Sequence, residues 1–269
     1  MVAMTLLPAF LRETLAQRVA IPFLPPGRQL NSGPYRACLA RTKEERQAAF
    51  RLRFRVFNLE LNEGLALAYE TGEDTDEFDR FCDHLLVHDD RTGEVVGTYR
   101  LQTGLAAERR IGYYSEREFD FSPYRVLRDE LVELGRACIH PDHRRYEVLM
   151  LLWKAIAWYA RDHRARYLIG CSSLTSQDQR EGSAIYHRLK PMLVQEPLRT
   201  VPTQAFAFDL VPKDEQVEVR PPKLLRTYLA LGAAICGPPA IDREFRTIDF
   251  LTLMDLNNLS PAIRSRLLD

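Results

Sequence analysis

Charge of one sign is missing from this chain of 269 residues: Lys plus Arg and Asp plus Glu number 37 each. No global field therefore recruits nucleic acid, and a polyanionic partner has to be met by a local patch. Paired cysteines are missing too. Cys38, Cys82, Cys138, Cys171 and Cys236 are odd in number, widely spaced and without a C-x-x-C pair. They suggest neither a disulfide framework nor a zinc site, and they read as reduced, mostly buried thiols of a cytosolic protein. No run of about twenty uncharged apolar residues exists, which excludes a spanning helix. The nearest, VLMLLWKAIAWYA, carries Lys154 in its middle. There is no internal repeat and no low-complexity tract. The N-terminal MTLLPAFLRETLAQRVA lacks the charged start and small-residue cleavage site of a signal peptide. It is amphipathic, and its apolar side (Leu7, Phe10, Leu11, Leu15) either packs on the domain, which we expect, or makes peripheral contact with the inner face of a membrane.

What is present is a globular composition, with 46% hydrophobic and 28% charged residues. Residues 20 to 35, rich in Pro and Gly, read as a linker, so residues 1–35 form an N-terminal helix and linker and 36–269 the domain. YRACLA reads as a strand. Thr42 and Glu45 make a capping box for a helix that turns Ala49, Leu52, Phe54, Val56 and Phe57 inward and ends near Asn58. HLLVHDD and VVGTYRLQT, joined by a tight turn, predict a hairpin. A strand over 131–139 follows. The helix YEVLMLLWKAIAWYARDH, apolar around most of its circumference, then leads to the strand YLIGCSSL. Strand, helix and strand predict a right-handed parallel crossover. Residues 174–221 read as an insertion holding a short helix around SAIYHRL and a candidate strand AFAFDLV. PPKLLRTYLALGA predicts a helix that stops at Gly232, and TIDFLTLMDL a last long strand. The fold class is α/β, a mixed, mostly antiparallel sheet around a central parallel β-α-β unit, with helices on both faces.

Two charges interrupt the strand in ELVELGRACIHPDHRR. Side chains alternate along a strand, so Glu133 and Arg136, three apart, belong on opposite faces. A bulge would bring them to one face, and Gly135 between them is a residue that often marks one. The bland alternative is an ordinary edge-strand ion pair. Cys82-Asp83-His84 contains nucleophile-like residues, but neighbours on a strand face opposite ways and form no relay. His140 and His143 have no third metal ligand near them in sequence.

The element order, with VVGTYRL, ELGRACIHPDHR and LLRTYLALGA…RTIDFLTLMDL, resembles the GNAT acyltransferase superfamily. Within it the similarity is to the branch of ornithine acyl-ACP N-acyltransferases, long-chain N-acyl amino acid synthases and, more distantly, acyl-homoserine-lactone synthases, over residues 36 to 256. The same branch carries the label hemolysin-like, which the absence of a pore-forming or secreted segment argues against. The resemblance implies a substrate cleft using Arg53 and Phe57 on the first helix. It also implies an acidic pair, Asp79 and, with one extra residue between, Asp83. Arg100 ends the third strand of the pattern, Glu133 and Arg136 form its Glu-x-x-Arg, and Tyr228 stands at the place of an acid tyrosine.

Coenzyme A-using members place a Gly-rich loop at the start of the buried helix, where bare amides bind a pyrophosphate. Here that stretch is HRRYEVLM, without a glycine. It suits acyl carrier protein (ACP), whose phosphopantetheine arm has one phosphodiester, with Arg144 and Arg145 placed to meet that phosphate. The expectation is an enzyme with no permanently bound cofactor. It would transfer a long-chain 3-hydroxyacyl group from acyl-ACP to the α-amine of an amino acid, ornithine first and glycine or tyrosine as alternatives. Glu133 would be the base and Tyr228 the acid, with Arg136 and Arg100 holding a carboxylate. A non-catalytic lipid- or ACP-binding module is the alternative of another class.

Overall fold

The computed structural model describes residues 29–212 and 217–268. The expected amphipathic N-terminal helix lies outside the described residues. Part of the stretch read as linker is already sheet: β1 (Leu30–Ser32) pairs antiparallel with β2 (Tyr35–Leu39). Thr42 closes the capping box with Glu45 and starts α1 (Lys43–Arg53). The helical run ends close to Asn58, as expected. It widens into a π-helical stretch, Phe54–Glu60, a form that recurs at functional sites and here carries Phe57. A single turn, α2 (Ala68–Thr71), and a 3-10 turn, Glu77–Arg80, lead to the expected hairpin of β3 (Asp83–Asp89) and β4 (Glu94–Thr103).

Next come α3 (Gly104–Glu108), two 3-10 stretches, Ser115–Arg117 and Ser122–Glu130, and then β5 (Leu131–Ile139). The buried helix α4 (Tyr146–Asp162) connects β5 to β6 (Tyr167–Leu174), which runs parallel to it. In the insertion, α5 (Gln179–Leu189) forms as expected. AFAFDLV forms no strand. Phe206, Phe208 and Leu210 alternate inward against the core, but the backbone bonds of this stretch go to single partners such as Ile241 N–H and the Ser183 hydroxyl instead of a ladder. The pattern of period two was packing, not pairing. The helix α6 (Lys223–Ala230) starts after Pro222, and Gly232 follows it at φ +100°, a conformation that favours glycine. Then come β7 (Ala234–Ile235), β8 (Ala240–Asp242), β9 (Thr247–Asp255) and α7 (Pro261–Leu268).

The nine strands are ordered β1-β2-β3-β4-β5-β6-β9-β7, with β8 also on β9, so a mixed, mostly antiparallel sheet surrounds the β5-α4-β6 unit. One face buries Tyr99, Leu101, Leu134 and Leu168 under Val148, Leu152 and Ile156 of α4. On the other, Leu131, Ile169, Leu251 and Leu253 pack under Phe119, Phe121 and Tyr124. The site arises because β5 and β6 part. Their pairing stops at Glu133–Ile169, yet β5 runs on to Ile139 and β6 to Leu174. A Cβ at Gly170 would meet the Leu134 carbonyl oxygen at 2.2 Å, so this glycine permits the last close approach before the strands splay.

Candidate active site in the splay between two parallel strands

The bulge exists, one residue beyond the glycine. Arg100 opposes Gly135 and Thr98 opposes Cys138, which leaves Arg136 and Ala137 together facing Tyr99. Arg136, at φ +50°, holds the left-handed conformation that a side chain rarely adopts. That extra residue turns Arg136 to the face Glu133 occupies. Both line a cavity of about 790 Å³ that fills the splay. Its polar wall includes Arg100, Glu118, Glu133, Arg136 and Asp249, and its apolar wall Tyr99, Leu134, Trp153, Leu168, Tyr228 and Met254. Arg144, Arg145, Tyr146 and Lys223 also line it.

Glu133 is 5% exposed. Its two carboxylate oxygens accept from the backbone N–H groups of Ser115 (2.8 Å) and Tyr114 (2.9 Å). Burial raises its pKa, against the lowering effect of these donors and of Arg100. A carboxylate has lone pairs beyond those two bonds, so it both anchors this turn and faces the cavity. Tyr228 is buried, with its hydroxyl 2.5 Å from that of Tyr99. Burial, with Tyr99 adding to it, keeps the Tyr228 phenol protonated far above its usual range.

Behind the wall stands a buried network of three arginines and three aspartates. Arg53 donates to Asp74 at 2.8 Å and holds Asp79 with both terminal nitrogens at 2.7 and 3.0 Å. Arg100 bonds Asp76 at 2.5 and 2.6 Å and Asp79 at 3.2 Å, and Arg136 donates to Asp74 at 3.1 Å. Burial pushes Asp79 up, but Arg53 and Arg100 outweigh it and hold the carboxyl below its usual range. Of the residues expected to bind substrate, Phe57 and Arg100 reach the cavity wall. Arg53 and Asp79 instead brace Arg100 from behind. Asp83 is elsewhere: exposed at the start of β3, it accepts from the Tyr159 hydroxyl at 2.7 Å. The extra residue in its spacing put it on the wrong side of the sheet, and Asp74 and Asp76 complete the network. Arg145 is exposed at the start of α4, whereas Arg144 is bound to Glu60 by two bonds of 2.6 Å. Burial pushes the Cys82 thiol up to about 12, which removes it as a nucleophile at neutral pH.

Residues 52–154 match the family described as Acetyltransferase (GNAT) domain. The chain is 35% identical over 245 residues to the L-ornithine N(alpha)-acyltransferase of Rhodobacter capsulatus, covering 86% of this chain and 93% of that one. It is 33% identical to the protein of the same name from Brucella abortus, covering 82% and 84%. The chain belongs to this family. The solved structure of the AHL synthase LasI shares the fold, with a TM-score of 0.50 at 12% identity over 87% of this chain and 94% of that one.

In this N-acyltransferase the sequence reading missed the segment that closes the site. Tyr114 and Ser115 come from 3-10 turns and loops with no periodicity to read. It also missed three carboxylates, Glu118, Asp242 and Asp249, whose oxygens lie within 4.8 Å of one another, all buried. Asp249 carried a usable signal: like Glu133, it is a charge inside an otherwise apolar strand.

Proposed function

We propose that this N-acyltransferase moves a long-chain 3-hydroxyacyl group from acyl-ACP to the α-amine of L-ornithine, the first step toward an ornithine lipid. The carrying observation is the cavity through the β5–β6 splay, with a carboxylate and an arginine on one wall and an aromatic, apolar surface on the other. The relatives named for ornithine acylation support the acceptor. Glu133 takes a proton from the substrate ammonium, directly or through water, and the freed amine attacks the thioester carbonyl. The C–N bond forms, the C–S bond breaks and the leaving thiolate takes the Tyr228 proton, while the second proton shed by the new amide nitrogen returns to the Tyr228 phenolate, which the Tyr99 hydroxyl holds in place. Backbone amides of β5 that lose their partners at the splay donate to the developing oxyanion. Arg136 holds the α-carboxylate and the apolar wall takes the acyl chain.

The donor assignment rests on the glycine-free start of α4, where Arg145 and Tyr146 leave no bare-backbone cradle for a pyrophosphate. Among the described residues no helix is long and apolar enough to cross a membrane. The test is mass spectrometry of products formed from 3-hydroxyacyl-ACP and a panel of amino acids. N-acylornithine is expected, with acyl-ACP a far better donor than acyl-coenzyme A of matched chain. Acylation of glycine or tyrosine but not ornithine overturns the acceptor, and equal specificity constants overturn the donor.

A further inference from the structure

We infer that Glu118, Asp242 and Asp249 form the pocket for the side-chain ammonium of a diamino acid acceptor, and so select ornithine over acceptors that lack a second amine. The inference rests on the reading of ornithine as acceptor and explains how it is recognised. Three carboxyl groups brought this close away from water cost free energy unless a cation or shared protons compensate them. Among the described residues none of the three is in an ion pair.

The bonds they do make leave the cavity side open. Asp242 Oδ1 accepts from the backbone N–H groups of Glu244 (2.8 Å) and Phe245 (3.0 Å), and Asp249 Oδ2 from the Thr247 hydroxyl (3.1 Å). Glu118 Oε2 faces the Cys171 thiol at 3.7 Å. Glu118 Oε1 and Asp249 Oδ1 are buried without a hydrogen-bond donor, in side chains whose residues are 1% and 3% exposed, and burial beside neighbouring carboxyls pushes both pKa values up, so the pair faces each other across a shared proton that an ammonium can replace. Both residues line the same cavity as Glu133 and Arg136. Two orphaned acceptors on the wall of a substrate cavity call for a donor that arrives with the substrate.

Position decides which part of the substrate that is. Glu133 pairs with Ile169, Cys171 with Leu251 and Ser173 with Asp249, so Glu133, Cys171 and Asp249 share one face of the sheet. Ser115, whose N–H holds Glu133, lies 3.5 Å from the Cys171 thiol, which in turn faces Glu118. Two carboxylate stations therefore stand on one wall, linked through Ser115 and Cys171. Arg136 lies on the same wall with its Nε buried and without a hydrogen bond, 3.8 Å from Asp76 Oδ2, and its guanidinium carbon is 4.5 Å from the centre of the Phe245 ring. A diamino acid fits all three, with its α-ammonium on Glu133, its carboxylate on Arg136 and its distal ammonium between Glu118 and Asp249. An acceptor without the distal amine leaves both orphaned oxygens buried and unpaired, the situation in which a polar site discriminates most strongly.

The experiment compares L-ornithine with L-norvaline, the same carbon chain without the distal amine, on the full-length enzyme with one acyl-ACP donor. The parent is expected to favour ornithine by roughly a hundredfold or more in kcat/KM. Asp249→Asn and Glu118→Gln should each shrink that ratio at least tenfold through loss on ornithine. A thermal-shift arm reads binding without turnover: ornithine should raise Tm of the parent and norvaline should not. A parent that is stabilised by ornithine but not norvaline, yet acylates neither, would fail the proposed reaction and keep this pocket. Equal turnover of the two acceptors, equal thermal shifts, or variants that keep the parent's ratio would overturn the inference. So would stabilisation by magnesium or calcium, lost on adding EDTA, together with a metal requirement for ornithine binding, because the carboxylates would then be ligands of an ion.

Discussion

Glu133 anchors a turn and, in the proposed reaction, is also the base, two tasks that a single substitution can separate. Its oxygens accept from two backbone amides, and its pKa is raised by burial, which suits a base that must be ionised at neutral pH yet still take a proton. Glu133→Gln keeps the size but turns an amide NH2 toward one of those backbone donors, so a modest loss of stability, about 1–3 kcal/mol, accompanies it. Turnover should fall by about two orders of magnitude or more, beyond what that loss explains for an enzyme still folded at assay temperature. Circular dichroism checks the first and steady-state kinetics the second. The pH profile adds a signature. Because the reactive form is the carboxylate, kcat/KM should fall as pH drops through a pKa above the usual glutamate value near 4.3, and that limb should disappear in the variant. An unchanged rate removes Glu133 from the chemistry and leaves it the anchor of the Tyr114–Ser115 turn.

At the scale of elements, a bulge and a splay make the site, and a buried ion network holds both in place. Removing one member of a buried charge set leaves its partners uncompensated, which costs about 3–5 kcal/mol. Arg53→Met leaves Asp79 with only the longer Arg100 contact of its two arginines and Asp74 with only Arg136, so urea unfolding should show a loss of that order, and activity should fall with it because Arg100 and Arg136 lose their bracing. Asp79 is held below its usual pKa. Its share of the stability is therefore present above about pH 4 and lost as the pH falls further. A loss under 1 kcal/mol would mean the network is not under strain of charge. Much of this architecture was legible beforehand. The capping box at Thr42, the buried α4 and the charged interruption at Glu133 are local signals, written in spacing of three to four or in alternation. What was not legible lies where the chain has no period. The 3-10 turns from Ser115 to Glu130 take their shape from packing Phe119, Phe121 and Tyr124 on the sheet, a contact no local pattern announces. Asp83 failed for the complementary reason, since a motif spacing carried one residue too far selects the opposite face.

Over the whole molecule the charges cancel, so if acyl-ACP is the donor as proposed, an acidic carrier has to be met at the cavity mouth by local charge. Two basic clusters are candidates, Arg144 with Arg145 before the buried helix, and Arg220, Lys223 and Arg226 around the later one. The fold brings cations from both to the same cavity, Arg144 and Arg145 at the start of α4 and Lys223 at the start of α6. Arg144 is engaged with Glu60 by two short bonds, so reversing it would set two acids against each other and confuse docking with local repulsion. Arg145 and Lys223, both exposed, are the cleaner pair. Rim charges act mainly on encounter, and their effect is screened beyond about 8 Å at physiological ionic strength. Arg145→Glu with Lys223→Glu should therefore raise KM for acyl-ACP about tenfold at low salt while leaving stability within about 0.5 kcal/mol. The parent's KM should climb steeply with added salt, and the double variant's should not. Acyl chains presented on a short pantetheine thioester, which carries no protein, supply the control, because their KM should respond to neither salt nor reversal. If the double variant keeps the parent's KM and salt dependence for acyl-ACP, the carrier docks elsewhere, and Arg220 and Arg226 on the flank of α6 become the next residues to reverse.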